Sequence, residues 1–205
     1  MSTTSKKPEK ALSSRRVLSQ SKGRDLSTPK GRVRKGLVLI NTGDGKGKST
    51  AAFGVMTRAW GRGMKATVVQ FIKQPKTKYG EGMAADRMGI DMTATGRGFT
   101  WTSTDLHDDA SLAKAGWELA RQRITSGEYD LVILDELTYP IRYGWIDVQE
   151  VIDTLKQRPT MQHVIITGRN AQQELIDFAD TVTEMHNVKH PYHEQGIKAQ
   201  RGIDF

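Results

Sequence analysis

Cysteine is absent from the chain. That excludes a disulfide framework, a thiolate metal site and a cysteine nucleophile. Long apolar runs are missing too. Nothing approaches the roughly 18 consecutive apolar residues of a membrane helix, and no apolar stretch near the start marks a secretory signal. A cytoplasmic protein with no membrane partner is the expectation. Aromatic residues are scarce at 7%, and apolar residues reach only 37% of the 205. They are concentrated after residue 36, however, so a core of normal size is available there for one domain.

An excess of acid is also lacking, and the formal charge is +8. Its location matters more than its size. Residues 1–35 carry eleven Lys/Arg against two acids, Glu9 and Asp25, whereas the remaining 170 carry twenty against twenty-one. The basicity belongs to the tail. The rest is close to neutral, so no nucleic-acid partner is expected of it. The tail is rich in Ser, Thr, Lys and Arg and poor in large apolar residues. Such a composition buries too little surface to offset chain entropy, and predicts disorder or folding on contact with a ligand. Its Ser and Arg content also faintly resembles a transit peptide. The expected division is a basic tail over 1–35 and a folded domain over 36–205.

From Leu37 onward strands and helices alternate. "LVLINT", "ATVVQF", "IDMTAT", "YDLVILDE", "QHVIITG" and "DTVTEMH" read as strands. Helices are expected from Gly47 to about Arg62, over "AADRMG", from about Ala110 to Thr125, over "VQEVIDTLKQR" and over "AQQELIDFA". "YDLVILDE" has almost no polar interruption, the mark of a strand buried on both faces. The fold class that follows is α/β, with a mainly parallel sheet covered by helices on both faces. "IKQPKTKYGEG" reads as a surface loop, and the ending "HPYHEQGIKAQRGIDF" as an extended segment.

What is present in abundance is glycine, at 20 residues, and three of these stand in "NTGDGKGKST", Asn41 to Thr50. The stretch nearly spells the phosphate-binding loop G-x-x-x-x-G-K-[ST]. Counting back from Gly47-Lys48-Ser49, the first glycine belongs at 42, where the chain has threonine; it comes at 43, so the loop is one residue short. Gly43, Gly45 and Gly47 allow tight backbone conformations that turn N–H groups inward. The helix beginning near Gly47 aims its positive end at the same anion. Lys48 adds charge, Lys46 is an extra cation, and Ser49 offers a hydroxyl to a divalent metal. A second motif agrees: Asp135 and Glu136 end a buried strand, at the edge where ligands collect in open α/β sheets, and carboxylates there hold Mg²⁺ directly or through water. Together the motifs indicate a nucleoside triphosphate with Mg²⁺, or Mn²⁺ in its place. They do not say which bond breaks. The shortened cradle permits a phosphate chain in an unusual register, even one held as the leaving group.

"KGLVLINTGDGKGKSTAAFG", "GFTW", "LVILDELTY", "VIITGRNA", "VKH" and the terminal "GIKAQRGIDF" resemble, in that order, the P-loop corrinoid adenosyltransferases. The resemblance implies a single RecA-like domain. It implies ATP bound with its phosphate chain reversed, transfer of the 5′-deoxyadenosyl group to the Co(I) of a reduced corrinoid, and release of triphosphate. Gly43, Asp44, Gly45, Lys46, Gly47, Lys48, Ser49 and Thr50 would grip the triphosphate. Ser49 and Glu136 would hold the metal with Asp135 beside them, and Lys48 and Lys46 would stabilise charge on the departing oxygen. Phe99 and Trp101, two apart and so on one side of an extended segment, would lie against the corrin and displace its lower axial ligand, easing reduction of cobalt. A homodimer is implied, with an N-terminal segment covering the corrinoid; the basic tail is a candidate for that cover, or for docking an acidic flavodoxin-like reductant.

Arg58, on the helix after the loop, and Arg169, in "TGRN", are further candidates for phosphate. His186, His190 and His193 are spaced like metal ligands, but "HNVKHPYH" reads as non-helical and favours a solvated or packing role. Trp60, Trp117 and Trp145 read as packing residues. The competing reading is a RecA-like ATPase associated with nucleic acid through the basic tail, with a small-molecule kinase as a third; both would release ADP.

Overall fold

Leu131–Asp135 has every residue buried, as an uninterrupted apolar run demands of a strand covered on both sides. It is the fourth of six strands in a computed structural model that describes residues 33–74, 79–96, 98 and 106–204. Phe99 and Trp101 lie outside the described residues. Arg34–Phe205 forms a compact unit, and every described strand and helix belongs to it.

In chain order the elements are β1 (Val38–Thr42), α1 (Lys48–Trp60), β2 (Ala66–Gln70), α2 (Gly80–Met88), β3 (Asp91–Ala94), α3 (Leu106–Thr125), β4 (Leu131–Asp135), α4 (Thr138–Arg142), α5 (Val148–Lys156), β5 (His163–Thr167), α6 (Gln173–Phe178), β6 (Thr181–Glu184) and α7 (Pro191–Gln195). The strands form one sheet in the order β3-β2-β4-β5-β1-β6. Every pairing is parallel, with Val38 opposite Val164, Ile133 opposite Ile165 and Val68 opposite Ile133. The expected α/β architecture is what the chain adopts.

Alternation along the strands builds two cores. Val38, Ile40, Val132, Leu134, Val164 and Ile166 face one side, where α3, α5 and α6 contribute Trp117, Ile124, Leu155 and Leu175. Leu131, Ile133, Val68 and Ile165 face the other, against Ala52, Phe53 and Met56 of α1 and Ala85 of α2. Trp117 is buried and donates its indole N–H to Glu150 at 2.7 Å, whereas Trp60 is exposed and donates to the Met88 carbonyl. Among the described residues no helix is long and apolar enough to cross a membrane.

Two short helices depart from the sequence reading. α4 contains Pro140, but in its first turn, where the missing N–H breaks no helix bond. α7 stands within the segment expected to be extended, with Pro191 at its start and His190 as its cap, accepting from the Tyr192 N–H at 3.2 Å. Two helices also start early, α2 at Gly80 and α3 at Leu106.

α5 begins at a cap that can be tested. Asp147 accepts from the Gln149 N–H at 2.7 Å, satisfying one of the helix's free amides. Asp147→Ala is expected to lower the unfolding free energy by about 1 kcal/mol in urea melts at pH 7, and Asp147→Asn to change it little.

Candidate active site

β1, β5 and β4 are neighbours in the sheet, so the segments leaving their carboxyl ends converge. Thr42 ends β1 and is held there twice: its carbonyl accepts from the Met185 N–H at 2.8 Å and its hydroxyl accepts from the Ala171 N–H at 3.1 Å. The loop therefore starts only at Gly43. Gly43 has φ 95° and Gly47, which caps α1, has φ 109°, the left-handed region that favours glycine. Gly43 and Gly45 also lie hard against the chain leaving β6. A Cβ on Gly45 would come within 2.8 Å of the Met185 and His186 backbone.

The same contact alters one expectation. Gly45 donates its N–H to the Met185 carbonyl at 2.7 Å, away from the concavity, so the loop amides do not all turn inward. Lys48 is buried and its ammonium donates to the Gly45 carbonyl at 2.7 Å, while Asn41 secures the Lys48 carbonyl at 3.2 Å. Burial lowers the Lys48 pKa below its ordinary value; Glu136, Asp44 and Asp135 pull it back up, and Arg169 pushes it down. Asp44 is exposed and thus contributes a local field. Lys46 is exposed and paired with Asp204, near the chain's end.

At the end of β4 the two carboxylates play different parts. Asp135 is fully buried and turned into the protein, accepting from Gln70 at 2.9 Å and from the Thr167 hydroxyl at 2.8 Å. Both its oxygens are engaged, which suits an anchoring role better than direct metal ligation. Glu136 has φ 63°, a rare conformation for a side-chain-bearing residue, and its N–H is fixed by the Thr167 hydroxyl at 2.9 Å. Such strain persists only where surrounding contacts impose it. Its Oε2 is sealed from solvent with no hydrogen-bond partner. Burial, and then the Asp135 carboxylate, push the Glu136 carboxyl up to about 7; Lys48, Arg169 and Lys73 oppose the rise.

An orphaned carboxylate oxygen beside a phosphate-loop lysine fits a divalent cation. Among the described residues no cluster of three or more His, Cys, Asp or Glu could hold a metal by itself. A cation here would draw its remaining ligands from phosphate and water, the usual habit of Mg²⁺.

Arg169 follows β5 and falls within electrostatic reach of Lys48 and Glu136; its carbonyl accepts from Thr138 at 2.8 Å. Arg58 is not brought to the site. It lies in the last turn of α1, ten residues from Lys48 and hence about 15 Å along the axis. There it lines a cavity of about 310 Å³ with Leu37, Leu131 and His163 at the opposite sheet edge. Sequence reasoning passed over Gln70 and Thr167, although each is a polar residue closing the carboxyl end of a largely apolar strand, the signal that singled out Asp135. Two cavities open here, one at the start of α1 and one at Glu136. One of about 460 Å³ lies between Thr50, Phe53 and Thr57 of α1, Glu81 of α2 and Ile203. The other, about 160 Å³, is lined by Ile72, Lys73, Tyr79, Glu136, Tyr139 and Asp204.

The sequence model of a family described as "ATP:corrinoid adenosyltransferase BtuR/CobO/CobP" matches residues 34–205. A corrinoid adenosyltransferase of a Sinorhizobium species is 44% identical over 174 residues, covering 83% of this chain and 81% of that protein. One of Pseudomonas aeruginosa is 43% identical over 176 residues, covering 85% and 86%. Among solved structures, the flagellar accessory protein FlaH of Methanocaldococcus jannaschii superposes with a TM-score of 0.53 at 11% identity, over 76% of this chain and 73% of that one. At that identity the likeness is one of fold.

Proposed function

Since the chain belongs to the ATP:corrinoid adenosyltransferase family and is thus a transferase, we propose that it moves the 5′-deoxyadenosyl group of ATP onto the Co(I) of a reduced corrinoid and releases triphosphate, in cobalamin biosynthesis or salvage. Cobalt supplies the electron pair for the new Co–C5′ bond. The C5′–O5′ bond breaks, its electrons leave with triphosphate, and cobalt passes formally from Co(I) to Co(III). The observation that carries this reading is the shortened loop. With Thr42 still in the strand and the Gly45 N–H committed to Met185, the cradle differs from one built to place a γ-phosphoryl group for transfer. It suits a triphosphate gripped as leaving group.

In this reading the loop from Gly43 to Thr50 holds the triphosphate, and Lys48, Lys46 and Arg169 offset the charge gathering on it as the C–O bond breaks. Ser49 and Glu136 hold Mg²⁺, or Mn²⁺, which supplies charge neutralisation for the phosphates. Asp135 fixes Thr167, which in turn fixes the backbone that aims Glu136. Phe99 and Trp101 lie against the corrin. The functional unit is a homodimer, with the 1–35 tail covering the corrinoid or docking a flavodoxin-like reductant. The chain's own task is positioning and exclusion of water, since reduced cobalt is nucleophile enough without a protein one.

Product analysis under anaerobic reducing conditions tests it, with ATP, Mg²⁺ and chemically generated cob(I)alamin. Triphosphate should appear in step with a light-sensitive adenosylated corrinoid, one for one. ADP and phosphate formed at a rate indifferent to corrinoid would sink the reading in favour of an ordinary ATPase.

A further inference from the structure

The final residues return to the loop. Beyond α7, the stretch 196–204 ends in a turn closed on itself: Asp204 donates its N–H to the Gln200 carbonyl at 2.8 Å and accepts the Gln200 N–H on Oδ2 at 2.8 Å. The other carboxylate oxygen, Oδ1, accepts from the Lys46 ammonium. Asp204 is much the less exposed partner, at 16% of its side chain against 55% for Lys46. The bond to Lys46, first, and that from Gln200 hold its carboxyl below the usual carboxylate range, so it stays ionised at neutral pH. Gly202, Ile203 and Asp204 wall the larger cavity beside Thr50, and Asp204 also walls the smaller one beside Glu136. A negative charge that lines both cavities is thereby seated on a cation of the phosphate loop.

A phosphate oxygen binding Lys46 needs the same donor, and a polyanion arriving there meets a carboxylate of like sign. We propose that Asp204 is an internal competitor of the triphosphate: the 196–204 strap and the phosphate chain exchange possession of Lys46, so that nucleotide binding loosens the strap and its return promotes release of the triphosphate product. The inference rests on Lys46 being a triphosphate ligand. Its value to the enzyme lies in turnover, because a multiply charged leaving group gripped by lysines and loop amides departs slowly unless another anion takes its place.

The pair is largely exposed on the lysine side, and exposed pairs are weak. The effect on affinity is therefore expected to be about three- to fivefold. Inorganic triphosphate with Mg²⁺ is the probe, titrated calorimetrically into the full chain. Asp204→Asn should bind it about three- to fivefold more tightly than the wild type, and Asp204→Glu, which keeps the charge, should stay close to wild type. In a Lys46→Met background the Asp204→Asn gain should vanish, since the two act through one bond. Trypsin gives an independent readout, because Lys198 and Arg201 are exposed on the strap. Cleavage there should quicken when triphosphate is added. Weaker or unchanged binding by Asp204→Asn overturns the proposal, as does slower cleavage, which would mean the strap clamps onto the ligand. If Lys46→Met alone binds triphosphate as the wild type does, the assignment of Lys46 fails, and the competition with it, while adenosyl transfer would be untouched.

Discussion

Glu136→Gln is expected to stabilise the protein at pH 8, leave its stability almost unchanged at pH 5, and reduce turnover by about 100-fold or more. The carboxyl stands at about 7 in the folded chain against 4.5 for the free group. Between those values the native state binds more protons than the unfolded one, so stability falls as pH rises. Below the unfolded value both states are protonated and the group costs nothing; at pH 5, just above it, the cost is still under about 1 kcal/mol. Above about 7 both are ionised, and the cost of a sealed carboxylate beside Asp135 is complete. At about 1.4 kcal/mol per pKa unit the ceiling is about 3 kcal/mol. Glutamine removes that charge, but it also deprives Lys48 of a counter-charge that props up its ammonium, and its buried amide needs partners. A net gain of about 1–2 kcal/mol at pH 8 is the expectation. Urea melts of both proteins at the two pH values measure it; an equal difference at pH 5 and pH 8 would show that charge is not the cause.

The same carboxyl explains why a destabilising residue belongs there. In the proposed reading, a cation bound to Glu136 would favour the ionised form, so the energy lost on folding would be recovered when metal and nucleotide arrive. Strain points the same way. Glu136 sits at φ 63° because Thr167 takes its N–H on one side and α4 begins two residues later on the other. A residue held against both its backbone and its charge preference, as Glu136 is, breaks local sequence rules in the way expected of functional sites.

The parts of the site that were legible are those written in contiguous residues. The loop could be recognised because glycines, Lys48 and Ser49 stand in order between a strand and a helix, and Asp135 and Glu136 because they end an apolar run. β4 and β5 were readable for the same reason, since burial on both faces leaves an unbroken apolar signature. The remainder depends on residues distant in sequence. Gln70 is 65 positions from the Asp135 it bonds, Thr167 is 32 away, and Asp204 is 158 away from Lys46. No local pattern encodes such pairings. Arg58 is a different case: the rise of a helix already places it about 15 Å from Lys48, so its remoteness could have been deduced. α4 stayed hidden because Pro140 reads as a helix breaker unless its place in the first turn is known.

Gly43→Ala should be the most damaging conservative change in the loop, and its consequence should spread to the sheet edge. A methyl group at 43 would stand 2.5 Å from the Met185 carbonyl oxygen and 2.7 Å from its nitrogen, at φ 95°. Both obstacles are backbone, so no side chain can swing aside. Relief requires the chain leaving β6 to separate from β1, to which β6 is joined as far as the Thr42–Glu184 pair. β6 is the weaker party: it is an edge strand held by β1 alone, and all four of its residues are exposed. The expected loss is about 2–4 kcal/mol, from the left-handed backbone and the enforced separation together. Hydrogen exchange at the Met185 amide, bonded to Thr42, should rise before global unfolding does, and ATP binding should fall with it. Gly54→Ala provides the contrast. Gly54 lies within α1 with nothing inside 4 Å of an added methyl, so that variant should gain about 0.5–1 kcal/mol from helix propensity alone. If Gly43→Ala kept full stability and normal Met185 protection, the loop would not be braced by β6. The short cradle would then need another source of its shape.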